Sequence, residues 1–295
     1  MANSIALASK MAPVVDLIYK AQSVTQALDT PSMVSEFSGV NEIKILKVST
    51  TGLGTYSQST GYPSGDVTAA WETMTLAQMR GKEISVGRID DEATLGKTFG
   101  TVIGNFMRDW VTPELDAYRF AKYAGASGIS VVATPAVLTK TDILAAIDEA
   151  VRQMDADEVP AAGRKLFINS NLKPALNASL TRQFGSDGVI NTVIAGYNDM
   201  VVTFVPASRF YTQVTLNDGA STWGYAKTAT TGRDINFMIV YPEAVVQVPK
   251  FIIPKVFDPD TNQIKDSWLY QFLLYHDAFV YENKAKGVYL HKSTT

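Results

Sequence analysis

Between residues 43 and 124 a long Gly-rich polar connection runs directly into an unusually long amphipathic helix, and few folds can use that combination. The first strand reads Glu42 to Val48. The connection from Thr50 to Val67 holds Gly52, Gly54, Gly61, Gly65 and Pro63 among Ser and Thr. The chain returns as Ala70 to Leu76, with Glu72, Met74 and Leu76 on one face and Trp71, Thr73 and Thr75 on the other, the period of a pleated strand. A third strand is expected from Lys82 to Ile89. Glycine and proline place turns in the connection. A loop this long is uncommon in a compact domain unless it has a function. A two-stranded ribbon is marginal alone in water, so it needs a surface to lie on. A neighbouring subunit is one such surface; a flexible surface loop is the plain alternative.

Asp90, Asp91 and Glu92 open the helix, where its dipole favours negative charge. Leu95, Phe99, Val102, Ile103, Phe106 and Trp110 recur in steps of three and four and predict one buried stripe. Gly96, Gly100 and Gly104 form a second line, which points to close approach of another backbone, with loose packing as the alternative. Thr112-Pro113-Glu114 reads as an N-cap and a first-turn proline, so the helix is expected to kink or restart there before ending at Gly125.

The remainder is mixed. A helix rich in Met11, Val14, Val15, Ile18 and Tyr19 opens an N-terminal arm that can dock on its own body or on a neighbour. Residues 126–248 read as α/β. A helix capped by Thr139 carries Ile143, Leu144, Ile147, Val151 and Met154. Strands are expected at Lys165–Asn169, Met200–Val205 and Ile235–Val240, with a helix from Asn171 to Leu180 and a mobile loop from Thr215 to Thr231. Pro254 marks Phe251–Phe257 as an edge strand or a bulge. A turn at 258–262 leads to a long aromatic strand, Trp268 to Tyr281, and Gly287–His291 closes the chain.

Composition excludes more than it proposes. The 295 residues contain no cysteine, which removes disulfides, thiolate metal sites and Cys nucleophiles, and two histidines leave little for metal binding. A net charge of −3 without a long basic run gives no signal for tight phosphate binding. No apolar run reaches the ~18 residues of a membrane span, and the N-terminus lacks a signal-peptide pattern, so a cytoplasmic product is expected. Leu95-Gly96-Lys97-Thr98 ends like a phosphate loop, but Asp91 stands where the first glycine belongs and the segment has helical period. Asp258, Asp260 and Asn262 have calcium-loop spacing, but Gln263 replaces the turn glycine and no Glu follows at loop position 12. Asp155, Asp157 and Glu158 read as a solvated helix end, and His276 as a packed core residue. No Gly-x-Ser-x-Gly elbow is present. No catalytic constellation emerges, and no cofactor is implied.

The element order, together with Val86-Gly87-Arg88-Ile89-Asp90-Asp91-Glu92-Ala93-Thr94, Phe106 and Val111-Thr112-Pro113-Glu114-Leu115-Asp116-Ala117-Tyr118-Arg119-Phe120, resembles the major capsid proteins of tailed bacteriophages, which have the Hong Kong 97 fold. Gly61-Tyr62, Val159-Pro160 and Arg164–Ile168 add to the likeness. The resemblance implies an α+β chain with an N-terminal arm (1–42), an extended β-hairpin loop (43–89), a peripheral domain with its spine helix (90–125 and 249–280) and an axial domain (126–248 and 281–295). It implies that the 215–231 stretch is the tip loop at the capsomer axis and that the 258–263 turn meets other capsomers. The implied role is structural, not enzymatic: self-assembly into pentamers and hexamers of an icosahedral head enclosing double-stranded DNA held by non-specific contact. The site would be the virion, assembled in the host bacterial cytoplasm without membrane association. Portal and head-decoration proteins would be partners. Inter-subunit contacts are expected at Thr55, Tyr56, Tyr62, Asp90, Asp91, Glu92, Asp258 and Asp260.

Two departures refine this. Some relatives crosslink through a lysine near the loop tip; here Lys47 and Lys82 flank the hairpin with no lysine between, so no isopeptide bond is expected. Some carry a long N-terminal scaffolding segment; Met1 lies close before this hairpin, so a separate scaffolding protein is expected. An encapsulin-like nanocompartment shell is the alternative within the fold. A cytosolic α/β enzyme with a lid hairpin is the alternative outside it.

Overall fold

The computed structural model describes residues 23–29, 37–38, 42–93, 98–179 and 196–294. The N-terminal helix around Met11–Tyr19, the Leu95-Gly96-Lys97 segment and Leu180 lie outside them.

A short β1 (Phe37–Ser38) pairs with β2 (Glu42–Thr50), and β2 pairs along its whole length with β3 (Val67–Thr75). Nine residues a side give a ribbon of about 30 Å. The alternation expected in β3 is present: Met74 and Leu76 are buried, while Trp71, Thr73 and Thr75 are exposed. The third expected strand, β4 (Gln78–Gly87), leaves the ribbon and joins a different sheet.

The helical run follows as α1 (Arg88–Ala93), α2 (Thr98–Phe106), a π-helical turn (Met107–Val111) and α3 (Thr112–Ala124). Phe99, Ile103, Met107, Val111 and Leu115 form one buried line, each four residues from the last. In an α-helix such a line rotates about 40° per step, and the extra residue of a π turn brings it back by about 100°. This corrects two expectations. Trp110 is not in the stripe; the π turn swings it out, half-exposed, and puts Met107 and Val111 inward. Thr112 is not an N-cap: its backbone is helical, and its hydroxyl donates to the Met107 carbonyl at 3.1 Å. The helix therefore passes Pro113 without restarting, because the wider turn absorbs the missing N–H. Among the described residues nothing outside its own helix comes within reach of a Cβ at Gly100, so no described backbone explains that glycine.

The next segment supplies β5 (Ser130–Val131), α4 (Ile143–Ala156), β6 (Lys165–Asn169), α5 (Lys173–Ser179), β7 (Gly196–Tyr197), β8 (Met200–Val205), β9 (Val214–Leu216), β10 (Tyr225–Lys227) and β11 (Ile235–Val240). The chain ends with β12 (Val245–Phe257), β13 (Ser267–Val280) and β14 (Val288–Lys292). Six strands form one mixed sheet in the order β5-β14-β11-β6-β8-β7. Leu166 and Ile168 of β6 pack on Ile143, Ile147, Ala150 and Met154 of α4. Phe167 points to the opposite face, toward Phe120 and Tyr123 of α3. A bulge in β11 at Asn236 lets Ile235 share a face with Met238 and Val240.

The other main sheet has the order β12-β13-β4. The proline-bearing β12 is its edge, as expected, with a bulge between Pro249 and Phe251. Tyr270, Phe272 and Leu274 of β13 meet the buried line of the long helix.

Three further expectations change. Asp142, not Thr139, occupies the N-cap position of α4, and the Thr139 hydroxyl is bonded to its carboxylate at 2.5 Å. Of the helix-end acids Asp155 and Glu158 are exposed as expected, but Asp155 also pairs with the buried Arg164 at 2.6 Å, and the half-buried Asp157 accepts from Ser130 at 2.9 Å. The 215–231 stretch is not an irregular loop throughout: β9 and β10 pair across it as a short hairpin. Arg80 holds its turn by donating to the carbonyls of Asn217 at 2.7 Å and Gly224 at 3.4 Å.

Candidate assembly interface

The β2–β3 ribbon has two unlike faces. Ile43 and Met74 sit on Val246 and Val248, with Ile45, Phe279 and Tyr281 around them, so the root is anchored in the body. Lys47 pairs with Glu282 on the same side. On the other face Leu46 lies opposite Trp71, Val48 opposite Ala69 and Thr50 opposite Val67, and all six are exposed. Trp71 is 65% exposed. Beyond the strands the chain ends in a knob where Tyr56 and Tyr62 rings lie 5.0 Å apart, closed by a Ser57–Gly61 bridge. Gly61 has φ of +79°, a conformation a side chain would strain. An apolar ladder of this kind, on an arm with an anchored root, is a candidate interface.

The angle at which the arm leaves the body is set by a buried elbow. The Ala77 N–H donates to Asp277 Oδ2 at 2.9 Å, and the Tyr275 hydroxyl donates to the Leu76 carbonyl at 3.0 Å. Asp277 also accepts from the Tyr118 hydroxyl at 2.7 Å and the Ala278 N–H at 2.8 Å, and Lys122 lies 3.6 Å away. Burial first, then the Asp277 charge, push the Tyr118 phenol well above the ordinary tyrosine range. One carboxylate thus joins the arm, the long strand and the long helix.

A second buried carboxylate holds the segment 23–29. Asp116 accepts from the Ser23 hydroxyl at 2.7 Å, the Thr25 hydroxyl at 2.8 Å, the N–H groups of Val24 at 3.2 Å and Thr25 at 3.3 Å, and Arg209 at 3.2 Å. Arg119 donates to the Thr25 hydroxyl at 2.8 Å and pairs with Asp29 at 3.1 Å. Gln247 donates to the Thr25 carbonyl at 2.6 Å and Asp29 at 2.8 Å, and itself accepts from Tyr123 at 2.7 Å. Burial raises the Asp29 pKa despite Arg119. Of the two surfaces expected for the arm, residues 23–29 use the chain's own body.

The expected contact residues are scattered. Thr55, Tyr56 and Tyr62 are at the knob, and Tyr56 and Tyr62 are exposed. Asp258 turns back to cap the Thr261 N–H at 2.7 Å, and Asp260 pairs with Arg88. Asp91 is buried and accepts from the Phe99 N–H at 3.3 Å, so its carboxylate already serves the next helix. Asp90 and Glu92 are in α1, at the foot of β4. Sequence reasoning missed Asp116, Arg119, Gln247 and Asp277. The available signal was a charged pair inside an apolar helix, and one acid in an aromatic strand.

No protein-family model matches the chain, and no curated protein does. Solved structures do. The capsid structure of cyanophage P-SCSP1u aligns with a TM-score of 0.65 at 13% identity, over 92% of this chain and 88% of that one. A chain from Mycobacterium phage Che8 gives 0.59 at 15% identity, over 92% and 91%. The virus-like particle of Pyrococcus furiosus gives 0.57 at 10% identity, over 96% and 98%. The chain has the Hong Kong 97-like, α+β fold of phage capsid proteins.

Proposed function

We propose that this protein is a shell subunit, the major capsid protein of a tailed bacteriophage, which self-assembles into pentamers and hexamers of an icosahedral head around double-stranded DNA. The observation that carries the reading is the apolar face of the arm, which the described residues leave uncovered on a fold shared with capsid proteins. In this reading residues 43–89 form the extended loop, 90–125 and 249–280 the peripheral domain, 126–248 and 281–295 the axial domain, and 1–42 the arm. Tyr56, Tyr62, Asp258 and Asp260 are contact residues between copies. Portal and head-decoration proteins are the further partners. The role is structural and belongs to the virion.

Electron microscopy of the expressed protein, with and without the products of neighbouring genes, tests this. Icosahedral shells or rings of five or six are expected, and a persistent compact monomer at high concentration would sink the reading. A second reading, an encapsulin-like nanocompartment shell, stands beside it, because a virus-like particle of Pyrococcus furiosus shares the fold over 96% of this chain. Nucleic acid or protein recovered from purified shells separates the two.

A further inference from the structure

Among the π turn, β4, β13 and the β9–β10 turn lies a cavity of about 280 Å³. Phe106, Trp110, Trp223, Phe272 and Leu274 give it apolar, mostly aromatic walls. Trp110 and Trp223 are 52% and 53% exposed, so the cavity opens to solvent between two indoles. Neither is loosely placed. Gly224, at φ +73°, lies so close to Trp110 that a Cβ would come within 3.1 Å of the ring. The Lys82 ammonium stands 3.2 Å from the centre of the Trp223 ring. Arg80, bonded to Glu114 at 2.6 Å, fixes the turn that carries Trp223.

His276 also lines this space and is only 2% exposed. Its buried Nδ1 has no hydrogen-bond partner among the described residues. Burial, with Arg119, Arg80 and Lys122 adding to it, holds its pKa at about 3, so the imidazole is neutral and offers one donor and one acceptor. Buried polar groups are rarely left so. The group that completes this site is flat and apolar, to lie between indoles, and carries a hydroxyl, which can both donate and accept.

A phenol has that combination, and the hairpin knob presents two of them on an arm about 30 Å long. Tyr62 is 88% exposed. We propose that the cavity receives Tyr62 from the hairpin tip of a second copy, its ring between Trp110 and Trp223 and its hydroxyl on the His276 imidazole. The inference rests on the shell-subunit reading and names the socket for its arm. Tyr56, packed beside Tyr62, covers the mouth.

The chain has no cysteine, so a Tyr62→Cys, Trp223→Cys pair can be linked without background. Assembled protein treated with a short bis-maleimide is expected to give a ladder of covalent oligomers on denaturing gels, absent when either cysteine stands alone. Tyr62→Phe and His276→Phe are each expected to raise the concentration needed for assembly about fivefold, and the double variant no further. Tyr62→Phe alters an exposed side chain and keeps this measurement available if His276→Phe fails to fold. Shells that form without a ladder, or that are indifferent to Tyr62→Phe, overturn the socket and leave the shell reading standing. Wild-type protein that never assembles removes both.

Discussion

Asp116 accepts five hydrogen bonds at a site closed to water, and four of them come from residues 23–25. Removing one member of such a group leaves the others buried and unpaired. Asp116→Ala is therefore expected to cost about 3–5 kcal/mol, read from urea unfolding, and to make residues 23–29 the first site of proteolytic cutting. The site was not legible in the sequence, because Asp116 and Thr25 are 91 positions apart and residue type does not name a partner. His276 was legible as a core residue, since an apolar strand on both sides leaves little else. It also predicts a pH dependence. Burial holds His276 at about 3 and His291 at about 4, below the ordinary 6.5. The unfolded chain then takes up these protons first, so their contribution is complete above pH 6.5 and is lost as the pH falls toward 4 and 3. Asp29 runs the other way: burial raises its pKa, and the folded state gains on protonation. The urea midpoint is expected to fall between pH 7 and pH 4.5, and to fall less in His276→Phe.

At the level of elements, the strands with strong period 2 and the helix α4 were readable because their partners lie on one face. The phase of the long helix was not. A stripe drawn at 3.6 residues per turn includes Trp110, whereas the π turn substitutes Met107 and Val111. Pro113 was the visible signal, but a proline permits either a break or a wider turn, and only the facing strand β13 decides between them. The 215–231 stretch misled in the same way: its Gly, Ser and Thr content hides the two short strands and Arg80, which lies far away in sequence. The β2–β3 ribbon allows a direct test of how elements divide their work. Its root is packed on Val246 and Val248, but the tip joins no core cluster among the described residues. Replacing residues 51–66 by Asn-Gly, which suits a two-residue hairpin turn, is expected to leave the melting temperature of the protomer nearly unchanged. The same excision is expected to abolish shells in electron micrographs. A large loss of protomer stability would mean that the tip belongs to the fold and not to the contact.

At the level of the whole molecule, layout carries more than residue identity. Solved chains that share 10–15% of residues with this one keep the same fold over about nine-tenths of its length. In this chain that layout is an anchored arm, a long helix under a three-stranded sheet, and a second sheet packed on the far end of that helix. The protomer keeps an apolar ladder exposed, and in the proposed reading a shell made of many copies would cover it. Stability then depends on concentration, since anything that binds only the folded form adds to it. Trp71 gives the sharpest test. It is exposed, pairs across the ribbon with Leu46, and belongs to no core cluster among the described residues. Trp71→Lys therefore should change the unfolding free energy of the isolated protomer by no more than about 0.5 kcal/mol. In the shell the same lysine would be buried without a partner, a state that costs several kcal/mol and that assembly avoids by not forming. Circular dichroism of dilute protein and light scattering of concentrated protein separate the two effects. Normal folding with no rise in scattering supports the ladder as the contact between copies. Shells that form as readily as wild type would place that contact elsewhere.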